Sequence, residues 1–283
     1  MTTPVASAAL ASPFTAPDAL TERSFRIWSA GAYDHISAGF RREAAVFVAR
    51  QRITDADRVL DVACGSGNTT IPAALTGADV TGIDLVPSLL ELAGAGAWAR
   101  REAISVRLDV GTAEALPYAD ASFDVVLSMF GVMFAARPER VVSELARVTR
   151  RGGRVVLANW TRDGFIGQLL GIHGKFAPPP VDVPSPLLWG DESVIRERFP
   201  ASEWDVRMVR YILTFRYPTD GAGIARLFQE SYGPTVRAFE AVPDAQRPLF
   251  AKALEAHWQQ HAIDTQAGSE VDSTYLRVVA VRR

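Results

Sequence analysis

The stretch Val59-Leu60-Asp61-Val62-Ala63-Cys64-Gly65-Ser66-Gly67-Asn68 joins an apolar run, a carboxylate and two close glycines. Val59, Leu60 and Val62 read as a strand covered on both faces. Gly65 and Gly67 let the backbone turn sharply and come close to a ligand. A helix is expected from Gly67 to Leu75, with its first free N–H groups pointing back at the turn. Asp84 follows Gly67 by seventeen residues, at the end of a second apolar run. A carboxylate there can accept hydrogen bonds from ribose hydroxyls. Thr70 stands where a dinucleotide fingerprint has its third small residue, no Lys or Arg lies in the turn, and no Gly-Lys-Ser/Thr follows it. These features disfavour a pyrophosphate or triphosphate and leave a nucleoside without phosphates as the expected ligand.

Strand–helix units must position these residues. Strands are expected at 58–63, 78–84, 104–109, 123–129 and 153–159, with helices at 87–100 and 138–150. Alternation of this kind implies a parallel sheet with helices on both faces and ligands at the strand ends. Residues 1–20, rich in Ala, Ser, Thr and Pro, read as a disordered tail with no signal-peptide pattern. Residues 21–53 read as a helical cover, 54–160 as the nucleoside-binding core, and 161–200 as an insertion over the strand ends. Residues 201–283 complete the sheet, with strands at 204–217 and 275–281 and helices within 220–264.

Several segments carry a resemblance. Asp61, Gly65 and Gly67 resemble motif I of the class I S-adenosylmethionine (SAM) methyltransferases, D/E-x-G-x-G-x-G, with Ala63 at the first glycine. The turn Gly111–Tyr118 resembles the G-D-A-E-x-L-P-F segment of ubiquinone/menaquinone-type methyltransferases. Ala113, Glu114, Leu116 and Pro117 match, Thr112 replaces Asp and Tyr118 replaces Phe. Ser122–Val126 and Arg151–Arg154 resemble the S-F-D-x-V and P-G-G elements, and Trp28 with Tyr33-Asp34-His35 resembles the N-terminal Trp/Tyr-Asp pattern. The resemblance implies a Rossmann-like, doubly wound α/β sheet of seven strands in the order 3-2-1-4-5-7-6, the last antiparallel, with a helical cover and an inserted lid. It implies SAM as cofactor, held by Trp28, Tyr33, Asp61, Ala63, Gly65, Gly67, Asn68, Asp84, Leu85, Thr112, Ala113, Glu114, Ser128, Met129 and Met133. Asp84 would take the ribose, and Thr112 with its neighbours the adenine.

The implied activity is methyl transfer to a small, largely apolar molecule, with a role in bacterial secondary metabolism as the expectation. Trp160, Phe165, His173 and Trp189, in and before the insertion, are the candidate acceptor-binding residues. Among possible bases (His35, His173, Asp34 and Glu192), His173 is the first choice, on a loop freed by Gly171 and Gly174. A non-catalytic SAM-binding relative, or an NAD-linked reductase, are the alternatives. His257 and His261 lack a third ligand, so no metal site is expected. Net charge is −2 and the isoelectric point about 6.1, which gives no electrostatic footprint for nucleic acid or an anionic membrane. The single cysteine, Cys64, points to a reducing cytoplasm. Monomer and homodimer both remain open.

Overall fold

The computed structural model describes residues 18–95, 104 and 106–283. Five strands, β1 (Arg58–Val62), β2 (Asp79–Asp84), β3 (Arg107–Val110), β4 (Phe123–Met129) and β5 (Thr149–Trp160), form the parallel part of one sheet. Two longer strands, β6 (Trp204–Tyr217) and β8 (Gly268–Arg282), are antiparallel to their neighbours, and a short β7 (Ile263–Thr265) pairs only with β8. The order is β3-β2-β1-β4-β5-β8-β6. Leaving β7 aside, this is the expected 3-2-1-4-5-7-6, with the final strand antiparallel between β5 and β6.

Apolar content explains which strands are central. Val59, Leu60 and Val62 of β1, Val125–Leu127 of β4 and Val155–Leu157 of β5 have no exposed surface, as parallel strands sandwiched by helices require. The helices of the core are α4 (Thr70–Ala74), α5 (Pro87–Ala95) and α6 (Pro138–Val148), the last two opened by proline at the first position, which lacks the N–H that would be orphaned there. The helix after the glycine turn starts at Thr70 rather than Gly67, because Gly65 and Gly67 keep positive φ. The rest of the helix expected to reach Arg100 lies outside the described residues.

Above the strand ends sits a cap from two distant parts of the chain. Its first part is α1 (Ala19–Trp28), α2 (Tyr33–Ala38) and α3 (Arg41–Ala49). Asp18 caps α1, accepting from the N–H groups of Leu20 and Thr21, so helix begins before the boundary expected for the tail; the tail's residues 1–17 lie outside the described residues. The second part is α9 (Gly221–Ser231), α10 (Gly233–Ala241) and α11 (Arg247–His261). The insertion folds as α7 (Phe165–Phe176), a 3-10 turn at Pro186–Gly190 and α8 (Glu192–Arg198). No helix among the described residues is long and apolar enough to cross a membrane.

Candidate functional site

Asp61, next to last in β1, and Asp84, last in β2, both bond to the glycine turn or the helix start beside it, each in its own way. Asp84 accepts from the Gly65 N–H at 2.8 Å and from the Val86 N–H at 2.9 Å. Asp61 accepts from the hydroxyls of Thr69 at 2.7 Å and Thr70 at 2.6 Å. Thr70, read in sequence only as a missing small residue, is thus the group that fastens the start of α4 to β1. Burial raises the Asp61 carboxyl to about 6, against the pull of the Thr70 and Thr69 bonds. Asp84 is also raised by burial, with its backbone donors opposing.

Ala63 holds φ +55°, the left-handed region that favours glycine, and Gly65 and Gly67 hold +55° and +87°. Alanine at the motif's first glycine position thus takes a backbone state that glycine favours. Gly131 makes room for it: a Cβ on Gly131 would lie 2.5 Å from the Ala63 Cβ. Phe130, beside Gly131, is a second non-glycine residue at positive φ, +63°. Its ring stacks on Trp160 with centroids 3.6 Å apart. Two residues in a costly backbone region therefore meet at one end of β1 and β4.

Together these residues wall a cleft of about 810 Å³, counting space open to solvent. Its walls include Trp28, Tyr33, Ala63, Gly65, Asp84, Leu85, Thr112, Ala113, Glu114 and Met129, all expected from sequence. Five others in the expected set stand behind the wall. Asp61 and Gly67 shape the turn. Asn68 donates to the Ser37 carbonyl at 2.9 Å, and Ser128 donates to the Val62 carbonyl at 2.8 Å and accepts from the Val132 N–H at 3.1 Å. Met133 is buried in the core. Thr21, Ser24, Leu89, Gly111, Phe130, Gly131, Phe134 and Ala135 also line the cleft. Sequence reasoning missed them; Gly131 and Phe130, directly after a strand end, were the signal available.

A second, narrow chamber of about 330 Å³, counting space open to solvent, adjoins the cleft and shares Trp28, Tyr33, Phe130 and Phe134 with it. Its remaining walls are Ile36, Phe40, Trp160, Ile166, Phe215, Phe228 and Tyr232. Trp28 makes edge contacts with Tyr33, Phe134 and Tyr232 at 5.5, 4.9 and 5.9 Å. Burial lifts the Tyr33 and Tyr232 hydroxyls well above their ordinary range, so both stay neutral.

Of the expected acceptor residues, Trp160 lines this chamber, and the other three do not. Phe165 stacks on His257 and meets Trp258. Trp189 is buried under the Arg198 guanidinium. His173 sits inside α7, not on a loop, and is 7% exposed. Its Nε2 hydrogen-bonds the Thr235 hydroxyl at 3.0 Å, its Nδ1 has no partner, and its ring packs against Phe250 and Tyr232. Burial, and then His257, lowers it to about 4. His35 is mostly exposed beside Asp34. Among the described residues no group of three His, Cys, Asp or Glu side chains could hold a metal.

The cleft lining joins bare backbone, a carboxylate and aromatic rings. A Cβ built on Gly65 would meet only the Tyr33 ring, at 3.7 Å, so the turn presents bare backbone. Asp84 reaches the cleft with lone pairs left for hydroxyls, and Trp28 and Tyr33 line it with aromatic rings. A doubly wound sheet with an acid-tipped second strand and a glycine turn free of basic residues is a frame of the nucleoside-binding kind. Comparisons with known proteins make that class specific. Residues 60–157 match the methyltransferase domain family. The chain is 40% identical over 229 residues to the uncharacterized protein Rv1403c of Mycobacterium tuberculosis, covering 78% of this chain and 80% of that one. It is 34% identical over 148 residues to the demethylmenaquinone methyltransferase of Deinococcus radiodurans, covering 51% and 59%. The YcgJ protein from Bacillus subtilis shares the fold, with a TM-score of 0.58 and 20% identity over 86% of this chain and 98% of that one. The chain belongs to the class I SAM-dependent methyltransferases of the ubiquinone/menaquinone-like type, and its cofactor is SAM.

Proposed function

We propose that this enzyme methylates a small, largely apolar molecule held in the aromatic chamber, by placement and exclusion of water. The observation that carries this reading is the shared wall: Trp28, Tyr33, Phe130 and Phe134 border both the cleft and the chamber. An acceptor among those rings lies against whatever fills the cleft. SAM supplies a methyl group on a sulfonium, already activated for transfer. The chain's own part is to hold and orient. Asp84 takes ribose hydroxyls, the Gly111–Ala115 turn takes adenine, and the Gly65 backbone lies against the methionine part. The rings of Trp28 and Tyr33 keep the reacting centre dry, and proximity in a dry site supplies much of a transfer rate.

His173 does not touch the chamber, and its low basicity and bond to Thr235 suit a packing role. The acceptor is then nucleophilic by itself or loses its proton to water. Incubation with methyl-labelled SAM and fractionated metabolite extracts should give a labelled small product. Phe134→Ala and Tyr232→Ala should raise the acceptor KM with little change in kcat. A labelled protein or nucleic acid, or variants that leave the KM unchanged, would overturn the reading. The buried Cys64 thiol, raised well above its ordinary range by burial, stays protonated and unreactive, in keeping with a cytoplasmic setting.

A further inference from the structure

Arg137, between the short turn after β4 and α6, bridges two parts of the cleft that are remote in sequence. Its backbone N–H donates to Glu114 Oε1 at 2.9 Å, and its Nη1 donates to Glu114 Oε2 at 2.5 Å. Its Nη2 donates to Asp18 Oδ1 at 2.5 Å. Glu114 lines the adenine side of the cleft. Asp18 caps α1, the helix that brings Thr21, Ser24 and Trp28 to the cleft wall. One guanidinium thus ties the cover helix to the cofactor wall.

The two ends of α1 are held in different ways. At its C-terminal end, Arg237 donates to the Arg26 carbonyl at 3.1 Å. Gly233 lies so near the Ile27 carbonyl that a Cβ there would come within 2.1 Å. Gly31 follows at φ +76°, tucked against the Ser231 carbonyl, a backbone state in which a side chain is strained. At the N-terminal end, Thr21 is the one buried residue of α1, and Asp18 caps the first turn. Among the described residues, the Arg137–Asp18 pair is the side-chain tie from that end to the cofactor wall. Beneath α1 the rings around Trp28 stand in edge contact.

We infer that Arg137 is a positioning residue that latches α1 over the cleft through Asp18, and that cofactor enters and leaves as α1 swings about Gly31. The inference rests on the cleft being the cofactor site. A latch makes a kinetic signature that a damaged wall does not. Opening limits both entry and exit, so weakening the latch raises the association and dissociation rates together and leaves Kd nearly unchanged. A wall residue that touches ligand would raise dissociation alone.

Stopped-flow tryptophan fluorescence with S-adenosylhomocysteine tests this, Trp28 being on the cleft wall. Asp18→Asn keeps a good helix cap and removes the charge, so it isolates the latch from the stability of α1. Both rates should rise roughly fivefold in Asp18→Asn and in Arg137→Ala. Both should also rise with salt in the wild type and respond less in the variants. Arg137→Lys keeps the charge without the two-armed fork and should fall between. Should Arg137→Ala fail to fold, Asp18→Asn decides alone. Unchanged rates in Asp18→Asn, or faster dissociation with unchanged association, overturn the latch. Asp84→Ala serves as the control: normal binding by that variant would place the ligand elsewhere and overturn the cleft assignment itself.

Discussion

Asp61, next to last in β1, and Asp84, last in β2, lie on neighbouring parallel strands, yet they fix one glycine turn through different partners. Asp84 accepts from the Gly65 N–H and lines the cleft, while Asp61 takes the Thr69 and Thr70 hydroxyls and is buried behind it. Two acids that sequence reasoning grouped as cofactor ligands thus have separable duties.

Substitution of Asp84 should act on affinity. Asp84→Ala removes charge-assisted bonds to ribose worth roughly 1.5–3 kcal/mol each. It also frees the Gly65 N–H. Calorimetric titration should show SAM affinity down at least tenfold with native circular dichroism. An unchanged Kd would remove Asp84 from the ribose site.

Asp61 should instead shape the acid stability profile. Its folded-state value of about 6 lies above the ordinary 3.8. The folded protein therefore binds the proton more tightly than the unfolded chain between those values. Its contribution to stability falls as pH rises through that interval and is level above about 6. Melting curves of wild type and Asp61→Asn should diverge progressively as pH rises from 4 to 6. Parallel curves would refute the shift.

His173 works in the other direction. Lowered from 6.5 to about 4, it is protonated first in the unfolded chain, so its contribution is lost as pH falls from 6.5 towards 4. His173→Ala should cost about 2 kcal/mol by leaving a gap and an unpaired Thr235 hydroxyl, and should flatten that loss. Turnover should show no inflection that moves with this residue. A hundredfold fall in kcat with stability retained would restore it as a base.

Gly131 faces Ala63, and the pair can be tested as a unit. A Cβ at Gly131 would meet the Ala63 Cβ at 2.5 Å and its carbonyl oxygen at 2.8 Å. Gly131→Ala should destabilise by about 1–3 kcal/mol and weaken SAM binding. Ala63→Gly removes a methyl from a left-handed residue and should be neutral or stabilising by up to about 1 kcal/mol. The double variant should recover part of the loss, since the carbonyl clash remains. Strict additivity in urea melts would show that the two do not touch.

The sheet was legible because its signals are local. Apolar strands alternate with helices, and β6 ends at the residues that alternation chose, Trp204 and Tyr217. The cleft was legible for the same reason: Asp84 ends a strand, and Gly65 and Glu114 come within four residues of the end of one. The inner chamber was not. Phe40, Phe130, Phe215 and the pair Phe228 and Tyr232 come from four separate segments, and only tertiary packing brings them together. His173 was misread because Gly171 and Gly174 suggest a loop. Both glycines lie where an added Cβ would meet nothing within 4 Å, so α7 tolerates them, and burial of Phe165, Ile166 and Leu169 outweighs their poor helix propensity. The extra β7 is a three-residue exposed strand with no apolar periodicity to reveal it.

The position of β8 has a consequence for synthesis. It lies between β5 and β6, yet it follows β6 in the chain. On the ribosome, β6 emerges before the strand that gives it its place. At roughly 5–20 residues per second, the intervening segment delays that partner by several seconds. Through that interval β5 and β6 both present bare hydrogen-bonding edges, which invite pairing with other chains. The nascent β6 carries charge along its length, at Asp205, Arg207, Arg210 and Arg216. Some of those charges have other duties once folded, Arg210 with Asp163 and Arg216 with Glu43 and Glu270. Before folding they keep a waiting strand soluble.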